Sequence, residues 1–136
     1  MMIAALPLLA LPVLAYNLIA LTGGAAGLSA PLFAVRMASG ADWPVSAGDL
    51  LLAASLVVLF VELLKSTNSR RAAIVNHGLS MLLFVVCLVE LLLAPAFATS
   101  TFFLITLMVL LDVLAGFIVT ILAARRDVDF GVGVGL

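Results

Sequence analysis

The sequence predicts an all-α integral membrane protein, a four-helix bundle with short loops and both termini in the cytoplasm. Three observations predict it: the composition, the lengths of the apolar runs, and the distribution of cations. Of 136 residues, 66% are hydrophobic and 10% charged, and the mean hydropathy is +1.42. Soluble domains carry roughly 25% charged residues, so this chain cannot clothe a water-facing surface. A helix needs ~20 apolar residues to cross ~30 Å of hydrocarbon, and the chain has room for four such crossings in a single transmembrane domain, 1–136. Five cations (Lys65, Arg70, Arg71, Arg125, Arg126) fall in the middle loop and the tail, against Arg36 alone on the other side. The positive-inside rule then puts those segments in the cytoplasm. The setting expected for so small and short-looped a chain is a bacterial inner membrane.

The first span is expected over 3–21. A cleaved signal peptide is the competing reading, but the usual cationic leader is missing, with no Lys or Arg before Arg36. Pro7 and Pro12 should each remove an internal hydrogen bond and bend this helix, which neighbouring helices tolerate in a membrane. The outer loop, 23–48, places Leu32, Phe33, Met37 and Trp43 at headgroup level, where indole rings are favoured. A short interfacial helix is expected over 31-PLFAVRMA-38. The second span, 49–64, begins at 46-SAGD-49, a serine followed three residues later by an acid, the pattern of a capping box. The third, 72–94, is stopped by Pro95. The fourth, 101–124, ends in a glycine-punctuated cytoplasmic tail, 125–136, expected to be loose. No internal repeat relates the two halves.

Inside such a chain the costly residues are the acids, because a charge at mid-bilayer costs a few kcal/mol even on insertion scales. Glu62 precedes Lys65 by one turn near the cytoplasmic interface, and Glu90 precedes Pro95 near the outer one, so both are expected to be interfacial. Asp112 lies near the centre of 101–124 with too short a side chain to reach either headgroup layer. It must be protonated, hydrogen-bonded or solvated by a cavity. Steps of three and four from Asp112 give Ala115, Gly116, Val119, Thr120 and Ala123. This small-residue ridge lets helices approach closely in lipid and turns Asp112 toward protein.

Two further stripes share the helical period: Asn76, Ser80, Cys87 and Glu90 on the third span, and Gly48, Ser55, Glu62 and Ser66 on the second. Folding the hairpin about Asn68–Ser69 makes a cytoplasmic polar layer of Glu62, Asn76, His77 and Thr120. It also makes a central layer of Asp112, Ser55 and Ser80. From the first span, only Tyr16 and Asn17 contribute, toward its outer end. Glu62 and His77 are expected to pair and fix the hairpin.

The near-neutral charge, six Lys+Arg against seven Asp+Glu, excludes a binder that neutralises many phosphates of a nucleic acid. One cysteine, Cys87, forms no intrachain disulfide and is expected as a small buried hydrophobe. No Walker loop, dinucleotide-binding glycine pattern, H-E-x-x-H or CxxC occurs, so no cofactor, metal or catalytic residue is expected. His77 beside one acid is too little for a metal, which wants three or four ligands. Small four-span glutathione-transferase-like enzymes carry Arg-Ala-x-x-Asn-x-x-Glu, whereas 71-RAAIVNHGL-79 has one residue too many before the Asn and lacks the acid. Two functions remain. The expected one is a structural or accessory protein in the lipid bilayer, assembling as a homo-oligomer or with a larger membrane complex. The alternative is a small oligomeric proton- or cation-coupled transporter or channel, in which Asp112 binds the ion and Glu62 and His77 form its cytoplasmic mouth.

Overall fold

The computed structural model describes the backbone of residues 6–65 and 70–132, with side chains for 6–65, 74–122, 124 and 125. The chain is mostly helical, with a small two-stranded sheet. In order, it runs through helix α1 (Ala10–Leu21), a 3-10 helix (Gly24–Ser29), strands β1 (Pro31–Arg36) and β2 (Asp42–Ser46), and helices α2 (Ala47–Lys65) and α3 (Arg70–Leu93). A 3-10 turn (Pro95–Phe97) and helix α4 (Ser100–Val132) complete it. Three segments are long and apolar enough to cross a membrane: Ala47–Lys65, Ile74–Leu93 and Ser100–Leu122.

Helix α1 is shorter than the expected first span, at 12 residues, or ~18 Å at 1.5 Å per residue. The prolines explain the shortening. Pro7 lies in the turn before the helix, and Pro12 is the third helical residue, where a backbone N–H has no partner within the helix. The two prolines therefore sit at the start of α1, where neither removes a hydrogen bond of the helix interior. Residues 3–5 of the expected span lie outside the described residues.

The interfacial helix expected over 31–38 is instead a β-hairpin. Arg36 pairs with Asp42, Val35 with Trp43, and Phe33 with Val45. Its three-residue loop, 38–40, closes with Met37 N–H donating to the Ala41 carbonyl at 2.8 Å, and Gly40 takes φ +87°, the left-handed position such loops reserve for glycine. The β-branched and aromatic residues flanking 39-SG-40 were a strand-and-turn signal that outweighed a weak helical period.

At the start of α2 the capping box forms. Ser46 N–H and Oγ donate to Asp49 Oδ2 at 2.8 and 2.7 Å, and Asp49 N–H donates to Ser46 Oγ at 3.1 Å. Gly48, the second residue of α2, lies so close to its neighbours that a Cβ would sit 2.9 Å from Thr101 Oγ1 and 3.0 Å from the Leu28 carbonyl oxygen. At the other end of the chain, α4 continues to Val132 where a loose tail from 125 was expected. No glycine or proline falls between Arg125 and Gly131 to stop it, and Ala and Arg are good helix formers.

Helix α4 packs against both α2 and α3, and α1 covers α4 and α2. Leu9, Tyr16, Cys87, Phe102, Ile105 and Val109 are fully buried, with Phe97 packed edge-on to Phe102 at 4.8 Å. The polarity runs opposite to that of a soluble bundle. Ser55, Glu62, Ser80 and Asp112 are buried, whereas Val57, Phe60, Leu92 and Ile118 are exposed. Such an exterior is matched by hydrocarbon, which leaves polar side chains only the interior as a partner.

Candidate functional site: a polar seam between the helices

Three polar groups occupy successive depths, and the repeat of each helix brings them inward. The first surrounds Glu62. Gly48, Ser55, Leu59 and Glu62 are the buried stripe of α2, which turns the carboxylate toward the other helices with no exposed surface. Its Oε2 accepts from Leu8 N–H at 2.7 Å, and Oε1 accepts from Asn76 Nδ2 at 2.5 Å. Lys65, one turn on, places Nζ 3.6 Å from Oε1 and donates to the Leu6 carbonyl at 2.7 Å. One carboxylate therefore ties the approach to α1, helix α2 and helix α3 together, and its charge faces an ammonium.

The second group is central. Ser80 Oγ donates to Asp112 Oδ2 at 2.7 Å, joining α3 to α4. Both are nearly fully buried, at 1% and 5% exposure. The deep acid is enclosed by protein and hydrogen-bonded. Ser55 does not join it: its hydroxyl closes on the Leu51 carbonyl of its own helix at 2.7 Å, as serine does when no better acceptor is in reach.

The third group lies toward the opposite ends of these helices. Tyr16 Oη donates to the Ala96 carbonyl at 3.1 Å and shares a hydrogen bond with Thr99 Oγ1 at 2.6 Å. Asn17 Nδ2 donates to Glu90 Oε2 at 3.3 Å and to the Val13 carbonyl at 3.1 Å. Glu90 therefore tethers α1 to α3.

The expected pairing of Glu62 with His77 does not occur; Asn76 takes that place. His77 turns to α4 and stacks edge-on to Phe117, with ring centroids 4.6 Å apart. It lies directly over Gly116, where a Cβ would overlap the ring. The close approach that a small residue permits is thus used within the chain, by an imidazole. Ala115 and Gly116 are half-buried, Thr120 is exposed, and its hydroxyl donates to the Gly116 carbonyl at 2.8 Å. The side chain of Ala123 lies outside the described residues.

Between the first and second groups is a cavity of about 30 Å³ lined by Asn76, His77, Ser80, Asp112, Gly116, Val119 and Thr120. Two buried atoms on its lining residues, Asn76 Oδ1 and His77 Nε2, have no hydrogen-bond partner. Neither cavity nor orphaned atoms could be read from the sequence, because both depend on which rotamer Asn76 adopts once Glu62 has claimed its amide. Among the described residues no three His, Cys, Asp or Glu side chains gather as a metal site. No protein family, curated protein or solved structure matches the chain.

Proposed function

We propose that the chain is a small polytopic inner-membrane protein of structural or accessory type, a four-helix bundle with both termini cytoplasmic, which assembles with itself or with a larger membrane complex. One observation carries this reading: the buried acids Glu62 and Asp112 and the half-buried Glu90 are occupied in joining helices. Glu62 binds Leu8 and Asn76, Asp112 binds Ser80, and Glu90 binds Asn17. Between the central group and the Tyr16–Glu90 group lies an apolar slab of Phe102, Ile105, Met108 and Val109, each at most 7% exposed. Thr106, embedded in it, spends its hydroxyl on the Phe102 carbonyl at 2.9 Å. An ion crossing between these four side chains would meet hydrocarbon and no charged group, and interhelical polar bonds in lipid serve as packing glue.

The competing reading, proton- or cation-coupled transport through Asp112, draws support from the cavity beside that carboxyl group and its two orphaned atoms. Flux decides between them. The chain is reconstituted in liposomes containing a pH-sensitive dye, and proton or potassium gradients are imposed. The accessory reading expects leakage equal to that of empty vesicles, together with a stoichiometric complex, of one or more chain types, when the native membrane is extracted in polymer-bounded discs. Flux above empty vesicles that Asp112→Asn abolishes would replace it with the transport reading.

A further inference from the structure

The cavity between α3 and α4 combines features that a merely imperfect packing would lack. It is bounded by a carboxyl group (Asp112), an imidazole (His77), a side-chain amide (Asn76) and two hydroxyls (Ser80, Thr120). The orientation of Asn76 is set by chemistry: its Nδ2 donates to the Glu62 carboxylate, which only accepts, so the amide oxygen must face elsewhere. That oxygen is buried on a residue 6% exposed and has no partner, and His77 Nε2 is likewise buried and unpaired. Buried polar atoms in native proteins are paired, by protein or by ordered water, in the large majority of cases.

The volume and chemistry select the ligand. A water molecule needs ≳10–15 Å³ of such space and two to four polar partners, and the cavity supplies about 30 Å³. An acyl chain would leave both atoms orphaned. Water both donates and accepts, so it satisfies the Asn76 oxygen and also His77 Nε2, whichever tautomer the ring adopts. We infer that this cavity is a water-binding site whose water bridges Asn76, His77 and Asp112. Through Asn76 it links the mid-helix carboxyl to the Glu62–Lys65 cluster, while the opposite direction is closed by Ile105, Met108 and Val109. Asp112 is therefore hydrated from the side of Asn76, His77 and Thr120, away from those apolar side chains. The inference goes beyond the accessory reading and stands whether or not the chain supports flux.

The test is water-edited NMR of the isotope-labelled full-length chain in lipid nanodiscs made with protonated lipid. Magnetisation from water should reach the Asn76 side-chain amide and the His77 ring, and should fail to reach Ile105 and Val109. In His77→Phe, which keeps a ring against Gly116 and Phe117 but removes Nε2, the transfer to Asn76 should fall while the backbone spectrum of α1 and α2 is retained. Acyl-chain contacts at Asn76 and His77 in place of water contacts would overturn the proposal. So would equal water transfer to Ile105, or transfer to Asn76 that persists unchanged in His77→Phe.

Discussion

Replacing Glu62 in two ways separates its hydrogen bonds from its charge. Glu62→Leu removes the acceptor for both Leu8 N–H and Asn76 Nδ2, the donors at 2.7 and 2.5 Å. Hydrogen bonds to charged groups contribute ~1.5–3 kcal/mol each, which gives an upper figure of ~3–6 kcal/mol for the pair. Interhelical bonds measured inside a bilayer average ~0.6 and reach ~1.7 kcal/mol, which gives ~1–3 kcal/mol. The two ranges meet near 3 kcal/mol, the expected loss for Leu. Lys65 adds little, since it is still bonded to the Leu6 carbonyl. Glu62→Gln behaves differently. Its oxygen can still accept from Leu8, and its new amide would face the amide of Asn76, donor against donor. Asn76 Oδ1 is unpartnered, so a flip of that side chain restores the bond with the roles reversed. The expected loss is then under ~1 kcal/mol, the contribution of a partly exposed ion pair. Equilibrium unfolding in mixed micelles, titrated with a denaturing detergent, reads both values. A Gln variant as unstable as the Leu variant would refute the flip, and a Leu variant as stable as wild type would refute the role of Glu62 as a three-way tie.

Gly116→Ala should destabilise by ~1 kcal/mol, because overpacking against His77 costs ~1–3 kcal/mol and Ala regains ~1 through helix propensity. In a His77→Ala background the same change should become stabilising, and thermal unfolding of the four proteins reads that reversal of sign. Tyr16→Phe should cost ~1 kcal/mol, since it deletes the bonds to Ala96 and Thr99 while its ring still packs on Phe97 and Phe102; detergent titration should show a further loss in the double variant with Thr99→Ala, which also removes the acceptor of Phe102 N–H, but less than the sum of the two single changes because they share the Tyr16–Thr99 bond. Gly48→Ala drives a methyl group to 3.0 Å from the Leu28 carbonyl oxygen, and the backbone there must move at ~1–3 kcal/mol. Its signature is faster amide hydrogen exchange over 24–29 and 47–51, with α3 unchanged.

What the sequence disclosed follows from how each feature is encoded. The three long helices are written as uninterrupted apolar runs, and the structure places them at Ala47–Lys65, Ile74–Leu93 and Ser100–Leu122 with only their ends shifted. The capping box is local, so four residues sufficed to find it. The level of Asn76 with Glu62 was legible because consecutive helices separated by only four residues, 66–69, have nearly fixed relative depth, and rise per residue converts sequence into height. Azimuth is less legible. Two adjacent residues, Asn76 and His77, sit ~100° apart on the helix, and nothing local states which of them meets α2 and which meets α4. The hairpin at 31–46 was obscured because exposed strands with apolar residues on both faces lack the period-two alternation that marks a half-buried strand. The extent of α1 turned on proline position, where one residue decides between a kink and a start.

The depths of the polar groups bear on why a chain of this composition holds one structure. Apolar helices in lipid gain little from meeting one another, since the acyl chains are as apolar as their side chains. Leu-, Val- and Ala-rich surfaces such as those of α2 and α3 would slide past each other at small cost. Bonds of fixed height remove that freedom: Glu62 with Asn76 locks α2 against α3, Ser80 with Asp112 locks α3 against α4, and Tyr16 with Ala96 locks α1 against the turn that follows α3. A shift of α3 and its following turn by one helical turn, ~5.4 Å, would break all three, and any such shift of α4 would take Asp112 from Ser80. Asp112 at mid-helix is costly to bury, and that cost is what makes every alternative register of α4 worse. The same logic sets the one-sided arrangement of the seam, because the orphaned atoms of Asn76 and His77 are tolerable only where water can reach them, and the apolar slab ends that reach at Asp112.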